Sequence, residues 1–302
     1  MHLTGWPDGP PLVDGWPALA AASEVAELVA DLARRRGRSV VVDGPELLFG
    51  RAASAGFQRA GRTSAGGSCR LLEAVDGWLA VNLARPDDVD AVPAVVEGGD
   101  RVADPWCLLA EFAGRRRAVV AAERCQLLGI PAAALGGPDS GFFPPVSITH
   151  LGPARPRPPA PLVVDLSALW AGPLCARLLG EAGARVVKVE AHHRLDGARR
   201  GDHRFYDWLH AGHESVVLDV TTGEGRGHLH RLLERADIVI EASRPRAVAA
   251  LGVDAGALVA RTGLTWVSIT MSARSRSRCR WPHPSAVVTS STTDSWPACN
   301  QS

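Results

Sequence analysis

The chain has 302 residues, 46% of them hydrophobic and 22% charged, with a formal net charge of +1. That length and balance suit a globular protein of two domains or one large one, and they lack the basic footprint of a nucleic-acid binder. The basic residues are almost all arginine, Lys188 being the single lysine among 33 Lys and Arg. Cys69, Cys107, Cys125, Cys175, Cys279 and Cys299 form no C-x-x-C pair, so zinc ribbons and thioredoxin-type redox sites are not expected. The opening MHLTGWPDGPP lacks the basic and apolar regions of a signal peptide. Every apolar helix candidate meets a charge before the roughly 18 residues of a membrane span. A cytoplasmic, reduced protein without a membrane partner is expected. His192, His193, His203, His210 and His213 cluster in the chain, but no H-x-x-x-H falls on a clear helix, so no metal is assigned.

In chain order, apolar residues Leu19, Val25, Leu28, Val29 and Leu32 recur at helical spacing and predict a helix over 18–34. The run Ser39 to Val42 predicts a short buried strand, and Pro45 to Ala53 a helix with Pro in its first turn. Arg70 to Ala74 and Trp78 to Leu83 predict a hairpin around Asp76-Gly77. Asp104 to Phe112 and Ala118 to Leu128 predict helices, the second stopped by Gly129, and Ile130 to Leu135 an extended segment. The Pro-rich stretch Gly152 to Pro161 predicts an extended linker.

Beyond it the alternation is cleaner. Strands are predicted at Leu162 to Leu166, Arg185 to Glu190, Ser215 to Val220, Ile238 to Glu241 and Thr265 to Thr270. Helices fall between them at Pro173 to Glu181, Glu224 to Arg235 and Arg246 to Leu251. Such alternation predicts an α/β fold, a Rossmann-like parallel sheet with helices on both faces, and before it a smaller α+β domain. The domain reading is 1–151, linker 152–161, parallel-sheet half 162–271, and an irregular tail 272–302. The tail has no sustained period, and its change of composition after Met271 suggests a shifted reading frame or disorder.

The first strand-turn-helix carries Ala171-Gly172-Pro173 where a dinucleotide fold carries G-x-G-x-x-G, and Pro173 removes an amide from the helix start. NAD is therefore the weaker ligand reading. Four blocks stand in order: Asp165 to Pro173, Gly183 to Glu190, Ser215 to Arg226 and Ala236 to Gly252. Together they resemble the class III CoA-transferase family, of the formyl-CoA and carnitine CoA-transferase type. His2 to Val13, Gly67 to Asp88 and Glu123 to Gly136 resemble segments that follow the Rossmann-like half in that family. Here they precede it, as in a rearranged member truncated at its C-terminal end.

The resemblance implies transfer of CoA between an acyl-CoA thioester and a carboxylic acid through a nucleophilic aspartate. It also implies coenzyme A as ligand without a metal, and a homodimer or an assembly with a full-length homologue. The position matching the aspartate falls at about Ala20, and no catalytic residue is assigned; impaired activity or a non-catalytic CoA-binding subunit follows. The CoA-contacting positions match Trp170, Ala171, Gly172, Leu218, Thr221, Ala242 and Ser243. Arg244 and Arg246 either pair with CoA phosphates or are solvated loop arginines, and Arg199 and Arg200 share that ambiguity.

Overall fold

A computed structural model describes residues 3, 5–10, 17–98, 104–135, 147–153, 156, 158–201, 203–243, 245–269 and 286–291, the side chains of 17, 18, 147, 245, 246 and 286–291 excepted. By its internal contacts the chain divides into two units, one of Met1–Leu19 and Leu48–Phe143, the other of Ala20–Leu47 and Pro144–Ser272 with the chain's last strand. Residues 20–47, which the sequence groups with the first part, thus pack with the second.

Helix α1 spans Pro17–Arg34 and α2 Gly44–Ser54. In α1 the face turned inward is the alanine face, Ala22, Ala26 and Ala33, while Val25, Leu28 and Leu32 remain 43–55% exposed. The larger residues picked out by spacing are thus not the buried ones. The strand expected at Ser39 to Val42 is absent: the segment pairs with no strand and Val41 is 93% exposed. A valine run is a strand only where a neighbouring edge takes its amides.

In the first unit β1 (Cys69–Ala74), β2 (Gly77–Asn82), α3 (Pro86–Asp90), α4 (Val92–Val95), α5 (Pro105–Gly114), α6 (Ala118–Leu127) and β3 (Ala132–Leu135) follow in order. The strands form an antiparallel sheet in the order β1-β2-β3, turned at Asp76-Gly77 as expected. Gly77 has φ 148°, which an L residue adopts only under strain. Asp76 then accepts from the Ala118 amide at 2.7 Å and the Arg117 Nε at 2.9 Å, tying the turn to the start of α6. Leu79, Val81, Leu109, Phe112 and Ile130 fill the core between sheet and helices.

The second unit holds β4 (Ser147–Pro153), β5 (Leu162–Asp165), α7 (Ala171–Glu181), β6 (Arg185–Ala191), α8 (His203–Leu209), β7 (Glu214–Leu218), α9 (Gly223–Arg235), β8 (Ile238–Glu241), α10 (Pro245–Ala250), α11 (Ala255–Thr262), β9 (Thr265–Ser268) and β10 (Ala286–Ser291). The sheet order is β4-β10-β9-β8-β5-β6-β7. Neighbours from β9 through β7 are parallel, whereas β10 is antiparallel to β9 and parallel to β4. The five parallel strands are those expected from the sequence. Strand β4 takes in the start of the supposed linker at Gly152 and Pro153, and β10 lies in the tail read as irregular; the other tail residues are outside the described ones. Helix α7 begins at Ala171, so Pro173 is its third residue rather than its first; proline is tolerated there because first-turn amides have no intrahelical acceptor.

Alternate residues of the central strands feed two cores. Val163, Val186, Ile238 and Ile240 pack with Ala176 of α7, while Val164, Val187 and Val239 pack with Leu229 and Leu233 of α9 and with Leu258 of α11. A strand whose successive side chains are both buried is covered on both faces. From β5 the chain moves outward to β6 and β7, then returns to place β8 and β9 on the other side. The reversal lies between β5 and β8, whose following helices pack on opposite faces of the sheet, α7 on one and α10 and α11 on the other; open α/β sheets hold ligands at such a switch point.

Candidate functional site

The carboxyl ends of the parallel strands carry buried acids: Asp165 ends β5, Glu190 lies one residue before the end of β6, and Glu241 ends β8. Burying a carboxylate requires compensating donors or charge. Asp165 Oδ1 accepts from the Ser167 amide at 2.9 Å and from the Ser167 hydroxyl, folding the chain tightly as it leaves β5. Glu241 accepts from the Ser243 amide at 2.7 Å and from the Ser268 hydroxyl. The two loops start side by side, since Leu166 donates to the Ile240 carbonyl at 2.8 Å.

Lys188, 1% exposed, sits between the turn after β5 and the loop after β6. Its Nζ lies 3.4 Å from Asp165 and 3.2 Å from Asp196, and donates to the Ser167 carbonyl. Asp196 Oδ1 accepts from the amides of Leu169 and Ala198, both at 2.9 Å. Its own amide donates to Glu190 at 2.7 Å. Arg199 engages Glu190 with Nε at 3.0 Å and Nη2 at 2.5 Å, and lies 4.2 Å over the Tyr206 ring. Burial alone would raise the Glu190 carboxyl, but the hydrogen bonds from Arg199 and the Asp196 amide, with the charges of Arg199 and Lys188, bring it down to about 2. Tyr206 stacks on His210, which meets His213 edge-on at 5.7 Å. Burial depresses both imidazoles, His213 to about 4, with His210 adding to its shift.

Of the residues matched in sequence, Trp170 stands half-buried at the N-cap of α7 with no side-chain cap bond, Ala171 is the exposed first residue of the helix, and Gly172 is buried. A Cβ on Gly172 would lie 2.0 Å from Ser167 Oγ and 3.6 Å from the Ile240 side chain, so only glycine lets α7 start this close to the turn. Ala242 is exposed and Ser243 half-buried in the loop after β8. Those two groups flank the switch point. Leu218 and Thr221 do not join them: Leu218 ends β7 and Thr221 follows it, separated from β5 by β6. Leu218 accepts from the His192 amide, and Thr221 donates its amide to Asp219 at 3.0 Å. Arg244 lies outside the described residues, as does the side chain of Arg246 in α10. Arg199 is committed to Glu190 rather than solvated, whereas Arg200 is exposed.

Residues 162–270 match the model of CoA-transferase family III. This stretch belongs to CoA-transferase family III. Over 100 residues it is 38% identical to succinyl-CoA–D-citramalate CoA-transferase of Chloroflexus aurantiacus, covering 30% of this chain and 25% of that protein. It is 39% identical over 82 residues to alpha-methylacyl-CoA racemase of Homo sapiens, covering 27% and 19%. To formyl-CoA:oxalate CoA-transferase of Escherichia coli it is 29% identical over 97 residues, covering 30% and 23%. The chain thus spans a quarter or less of the length of these relatives.

Sequence reasoning about the family III stretch missed the groups that shape its strand ends: Asp165, Ser167, Lys188, Glu190, Asp196 and Glu241. A signal was present, since an acid closes each of three apolar runs and the single lysine interrupts a run of valines. Their partners are set by the fold, however, and Asp196 lies in a loop with no periodicity. Among the described residues no group of three or more His, Cys, Asp and Glu could hold a metal ion, and no helix is long and apolar enough to cross a membrane.

Proposed function

We propose that the parallel-sheet unit, Rossmann-like in its strand order, binds coenzyme A at the switch point between the turn after β5 and the loop after β8. In this reading the chain serves transfer of CoA between an acyl-CoA thioester and a carboxylic acid, with the three-stranded unit as a smaller α+β domain. The carrying observation is that the stretch matched by the family, residues 162–270, is the stretch that builds the five parallel strands and their switch point. The named relatives differ in reaction but share a CoA thioester.

Each part of this site has a physical task. The first amides of α7, at Ala171 and Gly172, have no intrahelical acceptor and lie at the positive end of the helix dipole, where they favour an anionic group of the ligand. Trp170 offers an aromatic surface beside them. Ala242 and Ser243 line the opposite wall, and Arg244 and Arg246 supply phosphate-binding charge; Leu218 and Thr221, beyond β6, take no part at the switch point. In the transfer, a carboxylate oxygen attacks the donor thioester carbonyl, forming an anhydride as the C–S bond breaks; the CoA thiolate released then attacks the other carbonyl of that anhydride, so CoA is carried as a new thioester and the donor acid leaves as its carboxylate.

A second reading, a CoA-binding subunit that does no chemistry alone and works in a homodimer or with a full-length homologue, has its own support. Asp165, Glu190, Asp196 and Glu241 are each engaged by amides, hydroxyls or cations. A carboxylate so engaged is a poor nucleophile, and the position matched to the family's aspartate is Ala20.

Titration of the 302-residue protein with CoA and separately with NADH, followed by the fluorescence of its nine Trp, tests the binding proposal. Saturation by CoA and not by NADH is expected; the reverse result would sink it. Turnover of an acyl-CoA donor with a carboxylate acceptor by the purified protein alone would remove the non-catalytic reading.

A further inference from the structure

We infer that Asp196 is a positioning residue whose buried carboxylate holds the turn Ser167–Gly172 in its ligand-ready shape. The inference deepens the CoA-binding proposal and rests on it for the identity of the ligand.

The turn has an unusual backbone. Leu169 has φ 73°, the left-handed region that a leucine enters only at a conformational cost, and its side chain is 55% exposed. Something must hold it there. The Leu169 amide donates to Asp196 Oδ1 at 2.9 Å, and the same oxygen takes the Ala198 amide, so one atom fixes the loop after β6 against the turn after β5. Gly197 completes the support: a Cβ there would come within 3.0 Å of Leu169 Cδ2. On its other side Asp196 faces Lys188, which also grips Asp165 and the Ser167 carbonyl. Two neighbouring loops are thereby locked through one buried ammonium.

Fold stability is a weak explanation for this arrangement. Two carboxylates and one ammonium are removed from water, and such clusters are often no more stable than apolar replacements. What the cluster does supply is a fixed shape for a strained turn. The composition agrees: in a chain whose other basic residues are all arginine, the one lysine occupies this site. A compact ammonium fits between two acids and a carbonyl, where a planar guanidinium with five donors would leave several unpaired. Held this way, the turn presents Trp170 and the start of α7 before a ligand arrives, which spares the ordering that a loose loop would undergo on binding.

The test uses the full chain with Asp196→Ala, Asp196→Asn and Leu169→Gly. Asparagine keeps the acceptor at Oδ1 but turns its NH2 donors toward Lys188, so it retains the amide clamp and loses the ion pair. Two readouts are taken while circular dichroism shows the variants folded: amide hydrogen exchange of residues 167–174, and CoA affinity by calorimetry. Asp196→Ala is expected to raise exchange there by about tenfold and to weaken CoA by about tenfold, as for a lost charge-assisted hydrogen bond. Asp196→Asn is expected to fall between wild type and Asp196→Ala in both. In a Leu169→Gly background, where positive φ carries no penalty, the effect of Asp196→Ala on affinity should shrink to about threefold or less. If Asp196→Ala does not fold, Asp196→Ser, which keeps one acceptor, takes its place.

Unchanged exchange in the alanine variant overturns the inference. Faster exchange with unchanged CoA affinity does so too, because the turn would then be held for no ligand. An asparagine variant as weak as alanine would show that charge, not the acceptor, matters, and would likewise overturn it. Wild-type protein that fails to saturate with CoA refutes the ligand reading alone, and the exchange data then decide the clamp.

Discussion

The two units bury different chemistry. The core of the three-stranded unit is apolar, built on Leu79, Val81, Leu109, Phe112 and Ile130, and among its described residues the one buried acid, Asp88, pairs with the partly exposed Arg85. The parallel-sheet unit has cores of the same kind on both sheet faces, yet it also buries Asp165, Lys188, Glu190, Asp196 and Glu241 at one end of the sheet. A fold needs only the first type of interior. At the other end of the sheet Asp237 is the one buried acid among the described residues, bonded to the Leu162 amide; ionised groups gathered at one end mark the place where shape and electrostatics are set for something besides folding.

The sharpest way to break that comparison is to remove one member of the buried cluster. Lys188→Met conserves volume but leaves Asp165 and Asp196 without their cation, and a loss of ~3–5 kcal/mol is expected from urea unfolding. Leu79→Ala in the other unit opens a cavity at a fully buried site, and ~2–5 kcal/mol is expected. That loss should be the same at pH 7.5 and pH 5, since no titrating group is stranded. A Lys188→Met variant as stable as wild type would erase the distinction between the interiors.

Acid titration of the native protein sharpens the same contrast with a smaller effect. His213 is lowered in the fold from 6.5 to about 4, so as pH falls through that window the unfolded chain takes up the proton first and stability declines. Glu190 is lowered from 4.5 to about 2, so its contribution is intact above 4.5 and fades as pH falls toward 2. Both groups therefore weaken the fold on acidification, one window following the other. Replacing His213 by Gln should flatten the decline in urea midpoint between pH 7.5 and 5, leaving the share due to His210. A variant that tracks wild type over that range would show that the burial of His213 carries no linkage.

The parallel sheet was legible because its strands are apolar runs closed by turn residues; Gly183 and Gly252, both at positive φ, end helices where the sequence places their stops. The elements that were missed lack such contrast. Helix α8 is seven residues of mixed aromatic and polar character, and α11 carries a glycine in its first turn. The run Ser39 to Val42 misleads for the opposite reason, having strand composition without a partner edge. At the site, Gly172 and Trp170 were legible as a block, whereas Asp196 becomes meaningful only when the fold brings its loop against Leu169. A motif reports local backbone demands; a clamp between two loops has no period or spacing to announce it.

Helix caps should be indifferent to the division between the units, which makes them the finest test of it. Asp104 caps α5 by accepting from the Trp106 amide at 3.0 Å, and Asp254 caps α11 by accepting from the Ala257 amide at 2.9 Å. Both acids are exposed, so neither removal strands a buried charge. Each bond satisfies one of the amides that a helix start leaves unpaired, and loss of such a cap removes about 1 kcal/mol. Asp104→Ala and Asp254→Ala should therefore lower stability by similar small amounts at neutral pH, by urea unfolding with a probe in each unit. A markedly larger loss for Asp254→Ala would mean that the parallel-sheet unit is strained throughout, and that its buried ions are one symptom of the strain rather than a device confined to the strand ends.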